Sequence, residues 1–372
     1  MENSRSYAKI NLNNLLYNID SIYDYSGHKK ILAVVKANGY GHGAVEIAKA
    51  IESKDFILGF AVAAISEALE LRKNGISKMI LNLGATFEDE FDLAINNDIE
   101  MTVYSFEIAK MISDHAVSLN KTAFIQIKLD TGMSRLGFFP SFESIKKIKE
   151  ILKLPNIKIT GMFTHFAKAD EDDLTSTNIQ LERYLWVKHQ LDNENIIFDY
   201  YHCFNSAATL KCKCDELNVV RPGLIIYGLT NFKNSFLTLK PVLSLYSHVS
   251  FVKTIPENTP VGYGGTFVSS KKMRIATIAM GYADSFPRSL SNKGYVLING
   301  QKANIIGSIC MDQFMVDISH IDGVKFGDKV TIIGTDGDSS VSIYDVGDLS
   351  GRFFMEFMSL IPKRVSLEYV YE

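Results

Sequence analysis

The sequence predicts an α/β fold in which an amino-terminal (β/α)8 barrel, TIM-like in its pattern, precedes a carboxy-terminal, mostly β domain. From Ile31 onward, eight short apolar runs alternate with amphipathic helical stretches, the pattern of a parallel α/β barrel. After about Leu229 the helical periodicity nearly disappears, and short strands follow one another between Gly- and Asn-containing turn signals. We therefore predict a barrel domain of residues 1–235 and a β domain of residues 236–372.

Each predicted barrel strand is an apolar run bounded by glycine, proline or polar residues. A short strand at Tyr7–Leu12 and a helix ending near Tyr23 precede the barrel. The eight barrel strands are predicted at Ile31–Val35, Ile57–Val62, Met79–Leu83, Ile99–Tyr104, Ala123–Leu129, Ile157–Phe163, Ile197–Cys203 and Val219–Tyr227. The strands of the β domain are predicted at Leu245–Lys253, Arg274–Met280, Tyr295–Ile298, Gln301–Ile306, Met315–Ile318 and Lys329–Gly334. Helical periodicity returns only at Asp345–Leu349.

Composition and charge exclude several classes of protein. The 372 residues are 47% apolar and 22% charged, with a formal net charge of −3, so nothing indicates a nucleic acid or an anionic membrane as partner. No stretch approaches the roughly 20 apolar residues that span a bilayer, and the polar segment Met1–Lys9 lacks the apolar core of a signal peptide. We expect a cytoplasmic protein. Cys212 and Cys214 lack zinc-site spacing and a matching downstream pair, so no metal is predicted.

A single lysine stands at the end of the first predicted barrel strand. Lys36 follows the apolar run Ile31–Val35 and precedes three glycines spaced by two, Gly39, Gly41 and Gly43. Barrels keep their chemistry at the carboxyl ends of the strands. Burial there would lower the pKa of Lys36 and provide a neutral amine for a Schiff base. The residues alone also allow a lysine that only leaves the barrel mouth for water.

The stretch from Lys36 to Gly43 resembles the pyridoxal phosphate lysine motif of alanine racemases. That motif has a Val- or Ala-rich strand followed by Lys, Ala, Asn, a small residue, Tyr, Gly, His and Gly, and every element is present here. The resemblance continues in order along nearly the whole chain. It implies pyridoxal 5′-phosphate as cofactor, attached to Lys36, with Tyr40 at its phosphate.

The run from Lys128 to Gly137 closes the fifth predicted strand and contains Arg135. The planar guanidinium of an arginine can hold a carboxylate with two hydrogen bonds. The residues alone allow an ordinary ion pair between Arg135 and Asp130 as well. The resemblance implies that Arg135 reaches the substrate carboxylate and that Lys128, when carbamylated, orients it.

The strand ends that follow carry the other predicted cofactor residues. His165 follows the sixth strand and could be only a hydrogen-bonded core residue, but the resemblance implies a supporting role beside the cofactor ring. Loops after strands seven and eight form the usual phosphate site of such barrels. The resemblance also implies that Arg221 approaches the pyridine nitrogen, which would weaken the ring as an electron sink and favour proton exchange over transamination. The predicted cofactor-binding residues are Lys36, Tyr40, His165, Asn205, Ser206, Arg221, Gly223 and Leu224.

In the β domain, the segment around Tyr263 resembles the one that carries the second catalytic base of the family. Racemisation removes a proton from one face of the α-carbon and delivers one to the other, so Lys36 and Tyr263 would form the pair. A tyrosine has an intrinsic pKa near 10 and needs assistance, for which His165 and Arg221 are candidates.

The resemblance also implies that Tyr263 reaches the site of a partner subunit in a homodimer. It further implies that the Met311 backbone N–H binds the substrate carboxylate and that Tyr282 and Asp312 line the entrance, although Met311 taken alone suggests the core.

One departure from the family pattern concerns Met355, which stands where the family usually has a tyrosine at the phosphate. Methionine is flexible, and apolar pockets reject an added hydroxyl poorly. The resemblance as a whole implies an alanine racemase that supplies D-alanine for peptidoglycan. Met355 leaves a serine or broad-specificity racemase on the same scaffold as the alternative. Less favoured are a non-catalytic pyridoxal phosphate carrier, which would need neither the β domain nor Tyr263, and a related decarboxylase, which would need an acidic partner where Arg221 stands.

Overall fold

The computed structural model describes residues 5–232 and 236–372, which form two compact units. The barrel unit comprises Asn14–Gly39 and the described part of Ala44–Lys240. The β unit comprises the described residues up to Asn13, Tyr40–Gly43 and Pro241–Glu372. Residues 233–235, beside the predicted domain boundary, lie outside the described residues.

The chain enters through strand β1 (Ser6–Asn11), which belongs to the β unit, and then forms the barrel. The barrel strands are β2 Lys30–Val34, β3 Ile57–Val62, β4 Met79–Asn82, β5 Ile99–Val103, β6 Ala123–Lys128, β7 Ile157–Phe163, β8 Tyr200–His202 and β9 Val219–Val220. They pair in parallel in chain order from β2 to β8, and β9 pairs with β2. Phe204 O accepts a 2.8 Å hydrogen bond from Arg221 N–H, which brings the last two strands side by side and nearly closes the barrel.

Helices alternate with the barrel strands. They are α1 Leu12–Tyr25, α2 Ala44–Ile51, α3 Ile65–Lys73, α4 Glu88–Asn96, α5 Phe106–Ser118, α6 Phe142–Ile151, α7 Thr175–Asp192 and α8 Ser206–Lys211. In α2 the buried residues Ala44, Ile47, Ala48 and Ile51 recur at helical spacing and form one apolar face. None of the helices in the described residues has both the length and the apolar character needed to cross a bilayer.

The β unit contains a closed ring of strands. Its elements are β10 Leu243–Ile255, β11 Pro260–Val261, β12 Phe267–Val268, β13 Met273–Ile278, β14 Tyr295–Ile298, β15 Gln301–Ile306, β16 Phe314–Asp317, β17 Lys329–Asp336, β18 Ser339–Val341, α9 Ile343–Ser350, α10 Phe354–Ser359 and β19 Ser366–Val370. Antiparallel pairing runs from β10 through β13, β16, β15, β14 and β17 and returns to β10. The apolar cluster Ile255, Val261, Met273, Ile275 and Ile306 packs in this unit.

The structure differs from the predicted elements mainly at the end of the barrel. The strand predicted at Val219–Tyr227 stops at Val220, and Leu224–Tyr227 forms a 3-10 turn instead. Pro222 has no N–H for a ladder and cannot continue the strand. The predicted strand Ile197–Cys203 is shortened to Tyr200–His202. Sequence patterns also missed α10 and β19, and they did not indicate that β1 pairs between β10 and β19.

Candidate active site

The segment after Lys36 is a left-handed turn. Ala37, Asn38, Gly39 and Tyr40 all have φ between +51° and +63°. Residues with a side chain lose about 1–2 kcal/mol each in this conformation, so the turn depends on its hydrogen bonds. Such strain is characteristic of functional segments, where the surrounding structure holds the backbone in place.

Two side chains hold this turn. Glu67, on α3, accepts the N–H groups of Ala37 and Ala63, the second at 2.9 Å. Asn38 Oδ1 accepts the N–H of Ala44 at 3.1 Å, where α2 begins. The lysine before the turn is therefore presented from a fixed backbone at the carboxyl end of β2.

The amine of Lys36 is partly buried, and its pKa is lowered. Burial is the largest cause, and the positive charges of Arg135 and Arg221 add to it, whereas Glu67 acts in the opposite direction. Among the described residues, no hydrogen bond or ion pair of the Lys36 amine is found. These properties favour a reactive amine over a lysine that only extends into water.

Lys128, the last residue of β6, is buried with 5% of its surface exposed. Its ammonium donates to Leu129 O at 2.6 Å and to Leu136 O at 3.2 Å and lies 5.6 Å from the centre of the Phe163 ring. Burial, reinforced by Arg221, lowers the pKa of Lys128 to about 7. At neutral pH a large fraction of this amine is therefore uncharged.

Arg135 is exposed on a loop that Asp130 organises. The Asp130 carboxylate accepts the N–H groups of residues 132–135, all within 3.1 Å. Burial raises the pKa of Asp130, but these donors outweigh it and hold the pKa below its usual value. No ion pair between Asp130 and the Arg135 guanidinium is found in the described residues. The ordinary ion pair that the sequence allowed is thus replaced by a backbone anchor, which leaves the guanidinium at the barrel rim.

Arg221 follows β9 and is 3% exposed. Its guanidinium donates to His165 Nδ1 at 3.0 Å, to His202 Nδ1 at 2.7 Å and to Thr164 O at 3.0 Å. Burial, followed by the charge of Arg221, lowers the pKa of both histidines well below the usual range. Both rings are therefore neutral and accept at Nδ1.

The loops after β8 and β9 meet at Ser206. The Ser206 hydroxyl accepts the N–H of Gly223 at 3.0 Å and that of Ile225 at 3.5 Å. Asn205 caps α8 by accepting the N–H of Ala208 at 3.0 Å, and Leu224 lies between the two N–H groups in the 3-10 turn. The structure thus brings together the predicted residues of these two loops around one hydroxyl.

The other predicted residues, Tyr40, Tyr263, Tyr282, Met311 and Asp312, belong to the β unit. Tyr263 is 75% exposed and borders a cavity of about 650 Å3 that Tyr282 also lines. Met311 is 53% exposed, so the core position suggested by its residue type is wrong. Its carbonyl accepts the N–H of Ala283 at 2.9 Å.

A buried carboxylate, Asp284, holds the segments of Tyr282 and Asp312 together. Asp284 is fully buried and receives two hydrogen bonds from Arg5, at 3.1 and 3.0 Å, and an ion pair from Arg364 at 2.7 Å. Arg364 also pairs with Asp312 at 2.7 Å. This cluster fixes the loops on which the predicted entrance residues stand.

Comparisons with known proteins agree with this geometry. Residues 10–231 match the family model for the alanine racemase N-terminal domain, and residues 242–369 match that for the C-terminal domain. The chain belongs to the alanine racemase family. It is an isomerase, and the predicted family, fold class and enzyme class are confirmed.

Individual members of the family are similar over the whole chain. An alanine racemase of Clostridium tetani is 42% identical over 98% of this chain and 95% of its own length. The structure of an alanine racemase from Clostridium difficile 630 superposes with a TM-score of 0.94 at 38% identity, covering 99% of this chain and 96% of that one. An alanine racemase structure from Bartonella henselae, described with covalently bound pyridoxal phosphate, has a TM-score of 0.87 at 28% identity, covering 99% of this chain and 100% of that one.

Sequence reasoning missed several polar residues that support the site of this racemase. Glu67 lies on a helix, and no local sequence pattern indicates that its side chain contacts the turn after Lys36. His202 and Gln126 are fully buried within strands. A single polar residue inside an apolar run was the one feature of the sequence that could have indicated them, because buried polar groups need hydrogen-bond partners. The sequence indicated no role for Asp284, since its partners Arg5 and Arg364 are distant in sequence.

The depressed pKa of Lys128 predicts a pH-dependent effect on the stability of this racemase. Between about 7 and the ordinary value of 10.5, the unfolded chain binds this proton and the folded protein does not. Wild-type stability therefore rises with pH through that window and falls as pH drops toward 7. Lys128→Met lacks this dependence, so its free energy of unfolding should increase relative to that of wild type as the pH is lowered from 10 to 7. The free energy of unfolding is measured with urea in CO2-free buffer at about half-unit pH steps.

The matched control for this experiment is Lys121→Met, which removes an exposed lysine just before β6. The relative gain is expected for Lys128→Met alone. A difference in unfolding free energy that does not vary with pH would contradict a buried, weakly basic Lys128.

Proposed function

We propose that this racemase interconverts L-alanine and D-alanine in the cytoplasm with pyridoxal 5′-phosphate attached to Lys36, and that it supplies D-alanine for peptidoglycan. The observation that carries the proposal is the Lys36 amine, whose pKa is lowered by burial, which is free of hydrogen bonds in the described residues and which lies at the end of a barrel strand. A lysine with these properties is suited to covalent catalysis. The family to which the chain belongs supplies the substrate.

The donor groups of the barrel unit, together with Tyr40 of the β unit, would hold this cofactor. Lys36 would hold its aldehyde carbon and Arg221 its ring nitrogen. Ser206, the backbone N–H groups around Gly223 and Leu224, and Tyr40 would hold its phosphate, and Asn205 would position that loop through its cap of α8. When bound, the cofactor would withdraw electrons from the α-carbon of the attached amino acid and make its α-proton acidic.

Lys36 and Tyr263 are proposed as the two bases, one for each face of the α-carbon. In its uncharged form the Lys36 amine accepts the α-proton on one face, and the Tyr263 oxygen exchanges a proton on the other face. Arg221 keeps its proton throughout, because a guanidinium does not ionise in a protein. His165, neutral and bound to Arg221, supports the exchange by fixing polar groups around the reacting carbon.

Two further groups are proposed to bind the substrate carboxylate. The exposed Arg135 guanidinium, on the loop that Asp130 anchors, would pair with it, and the Met311 backbone N–H would donate a hydrogen bond. Lys128 supports this arrangement, because an uncharged amine can add CO2 to form a carbamate, and an anion in this place would orient Arg135. The pKa of about 7 makes the required neutral amine abundant at physiological pH.

The proposed assembly is a homodimer in which Tyr263 reaches the site of the partner subunit, with Tyr282 and Asp312 at its entrance. The 75% exposure of Tyr263 supports this role, since a catalytic phenol left in solvent requires a surface to complete its site. The proposed functional division follows the domains of residues 1–235, which bind the cofactor, and 236–372, which supply the second base.

Tyr263→Phe tests the two-base proposal because it removes one proton carrier and preserves the ring. We expect racemisation to fall by roughly 10^2–10^4-fold, the usual contribution of a general acid or base. Exchange of the α-proton with D2O should persist for one alanine enantiomer and be lost for the other, as followed by NMR on each pure enantiomer.

The control is Tyr371→Phe, which removes the hydroxyl of another exposed tyrosine of the β unit. Equal loss of exchange for both enantiomers would contradict separate bases on the two faces. A protein that binds the cofactor but exchanges neither enantiomer would favour the non-catalytic carrier.

Mixing two inactive variants tests the shared site. Lys36→Ala and Tyr263→Phe each disable both sites of a homodimer, whereas a mixed dimer has one site with both native residues. If Tyr263 acts in the partner's site, random co-assembly should restore about a quarter of the wild-type activity, from the twofold symmetry of such a dimer. No recovery after verified mixed assembly would place both bases in one chain.

Serine is the second candidate substrate, and Met355 is the observation that favours it. Met355 is buried, with 8% exposure, in α10, and its side chain is flexible and lacks the phenol usual in the family. A pocket lined by methionine discriminates weakly against one additional hydroxyl.

Met355→Tyr should therefore raise the alanine-to-serine ratio of kcat/KM, by roughly 10-fold if the phenol fills the space of the serine hydroxyl. The ratio is measured by enantiomer-resolved turnover of both substrates. The control is Met358→Leu, a buried methionine on the same helix. An unchanged ratio in Met355→Tyr would show that Met355 does not determine the substrate.

A further inference from the structure

A continuous chain of buried hydrogen bonds crosses the interior of the barrel from Arg221. The guanidinium donates to His202 Nδ1 at 2.7 Å, and His202 Nε2 lies 2.7 Å from Gln126 Oε1. Gln126 Nε2 donates to Glu100 Oε2 at 2.6 Å. Every one of these side chains is at most 7% exposed, so water does not compete along the chain.

The chemistry of the groups permits one direction along this chain. A guanidinium only donates, so His202 Nδ1 must accept and the ring proton must reside on Nε2. That N–H donates to the oxygen of the Gln126 amide, which turns the amide nitrogen toward Glu100. The final group must therefore accept, and an ionised carboxylate is the side chain that offers acceptors alone.

Glu100 is built into its position. Its Oε2 also accepts the Thr160 hydroxyl at 2.7 Å, and the second N–H of Gln126 is directed to the Met79 sulfur at 3.9 Å. Gly161 leaves room for the amide, because a Cβ there would lie 2.8 Å from Tyr200 O and 3.1 Å from Gln126 Oε1. The backbone thus reserves space for this polar chain.

We propose that Glu100 is a positioning residue, whose buried carboxylate holds the Gln126 amide and, through it, the His202 ring, and thereby orients the Arg221 guanidinium. The catalytic consequence rests on the proposed function of Arg221, whereas the tautomer assignment depends only on the barrel itself. Gln126 and His202 lie between Glu100 and Arg221, so the effect of Glu100 passes through two neutral groups.

The positioning role of Glu100 can be separated from a stabilising role, because burying an ionised carboxylate lowers the stability of the fold. Burial raises the pKa of Glu100, while the hydrogen bonds from Thr160 and Gln126 and the charge of Lys158 act against the rise. A carboxyl with a raised folded pKa stabilises the protein most when it is protonated, and stability is lost as pH rises through that value. When ionised, Glu100 is therefore a destabilising group, a cost that a merely structural role does not explain.

The first experiment measures His202 directly, by 15N NMR of histidine-labelled protein without cofactor. The His202 signals are assigned by their loss in His202→Asn. In wild type we expect one protonated nitrogen, Nε2, and an unprotonated Nδ1. Both 15N signals should shift in Glu100→Gln, which removes the charge, and in Gln126→Met, which interrupts the chain.

The matched control is Thr102→Val, because Thr102 is buried on the same strand and its hydroxyl, within the described residues, donates to Asn82 O and to none of the four linked side chains. Wild-type His202 signals should also titrate as pH falls through the pKa of Glu100, and this titration should be absent in Glu100→Gln. Lys158, Asp199 and Tyr200 are the other titratable groups that interact with Glu100, and all three remain in that variant.

The second experiment compares activity with stability at pH 8. Glu100→Gln should lower kcat roughly 10-fold, the lower end of what outer hydrogen-bond partners contribute in comparable sites, with a smaller change in KM. Its urea midpoint should equal or exceed that of wild type. His202 signals unchanged in both Glu100→Gln and Gln126→Met, or a loss of activity that only parallels a loss of folded protein, would overturn the proposal.

Failure of the proposed function is distinguishable from failure of this inference. A protein that does not racemise alanine, but whose His202 signals shift in both variants, would refute the proposed role of Arg221 and retain Glu100 as the residue that positions His202.

Discussion

The buried positive charge of Arg221 is the constraint on which the rest of the barrel site depends. A guanidinium does not lose its proton, so every basic group near it must adjust. The pKa values of Lys36, Lys128, His165 and His202 are all lowered, with burial as the main cause and Arg221 among the contributing charges. Burial and this permanent cation together shift two amines and two imidazoles toward their neutral forms, which are the forms that can accept protons.

The fold provides this environment because parallel strands end at one face of the barrel. Lys128 ends β6, and Lys36, His165 and Arg221 each follow a strand within a few residues. Their side chains therefore converge although they are far apart in sequence. The left-handed turn after Lys36 adds rigidity, since it is held by Glu67 from the adjacent helix and not by favourable backbone angles. Positioning by neighbouring elements of this kind is required where reactive groups must be fixed to a fraction of an ångström.

Much of this arrangement could be predicted from local sequence, and the unpredicted parts have a common physical origin. The barrel strands are apolar runs whose boundaries follow from glycine and polar residues, so β3 and β7 were predicted to the residue. The catalytic candidates at strand ends followed from position and from the family motifs. Contacts between distant residues leave no such trace: the pairing of β1 with β19, the Arg5–Asp284 ion pair and the reach of Glu67 depend on tertiary structure. Met311 was misread from its residue type because an apolar side chain at a functional loop can remain exposed.

The buried polar chain explains why the barrel interior departs from a purely apolar core. Replacing Gln126 and Glu100 with packed apolar residues would remove the free-energy penalty of burying polar and charged groups, since such replacements are often neutral or stabilising. The barrel instead retains a carboxylate, an amide and an imidazole. Each of their hydrogen bonds is donated in the same direction, from Arg221 toward Glu100. Phe163 stacks on His202 with ring centres 4.9 Å apart, and the Arg221 guanidinium lies 5.3 Å from the centre of the Phe163 ring. Phe163 therefore packs against both the imidazole and the guanidinium, in addition to the hydrogen bonds that link these two groups. A core built for stability alone has no need for this directionality, whereas a guanidinium that must keep one orientation does.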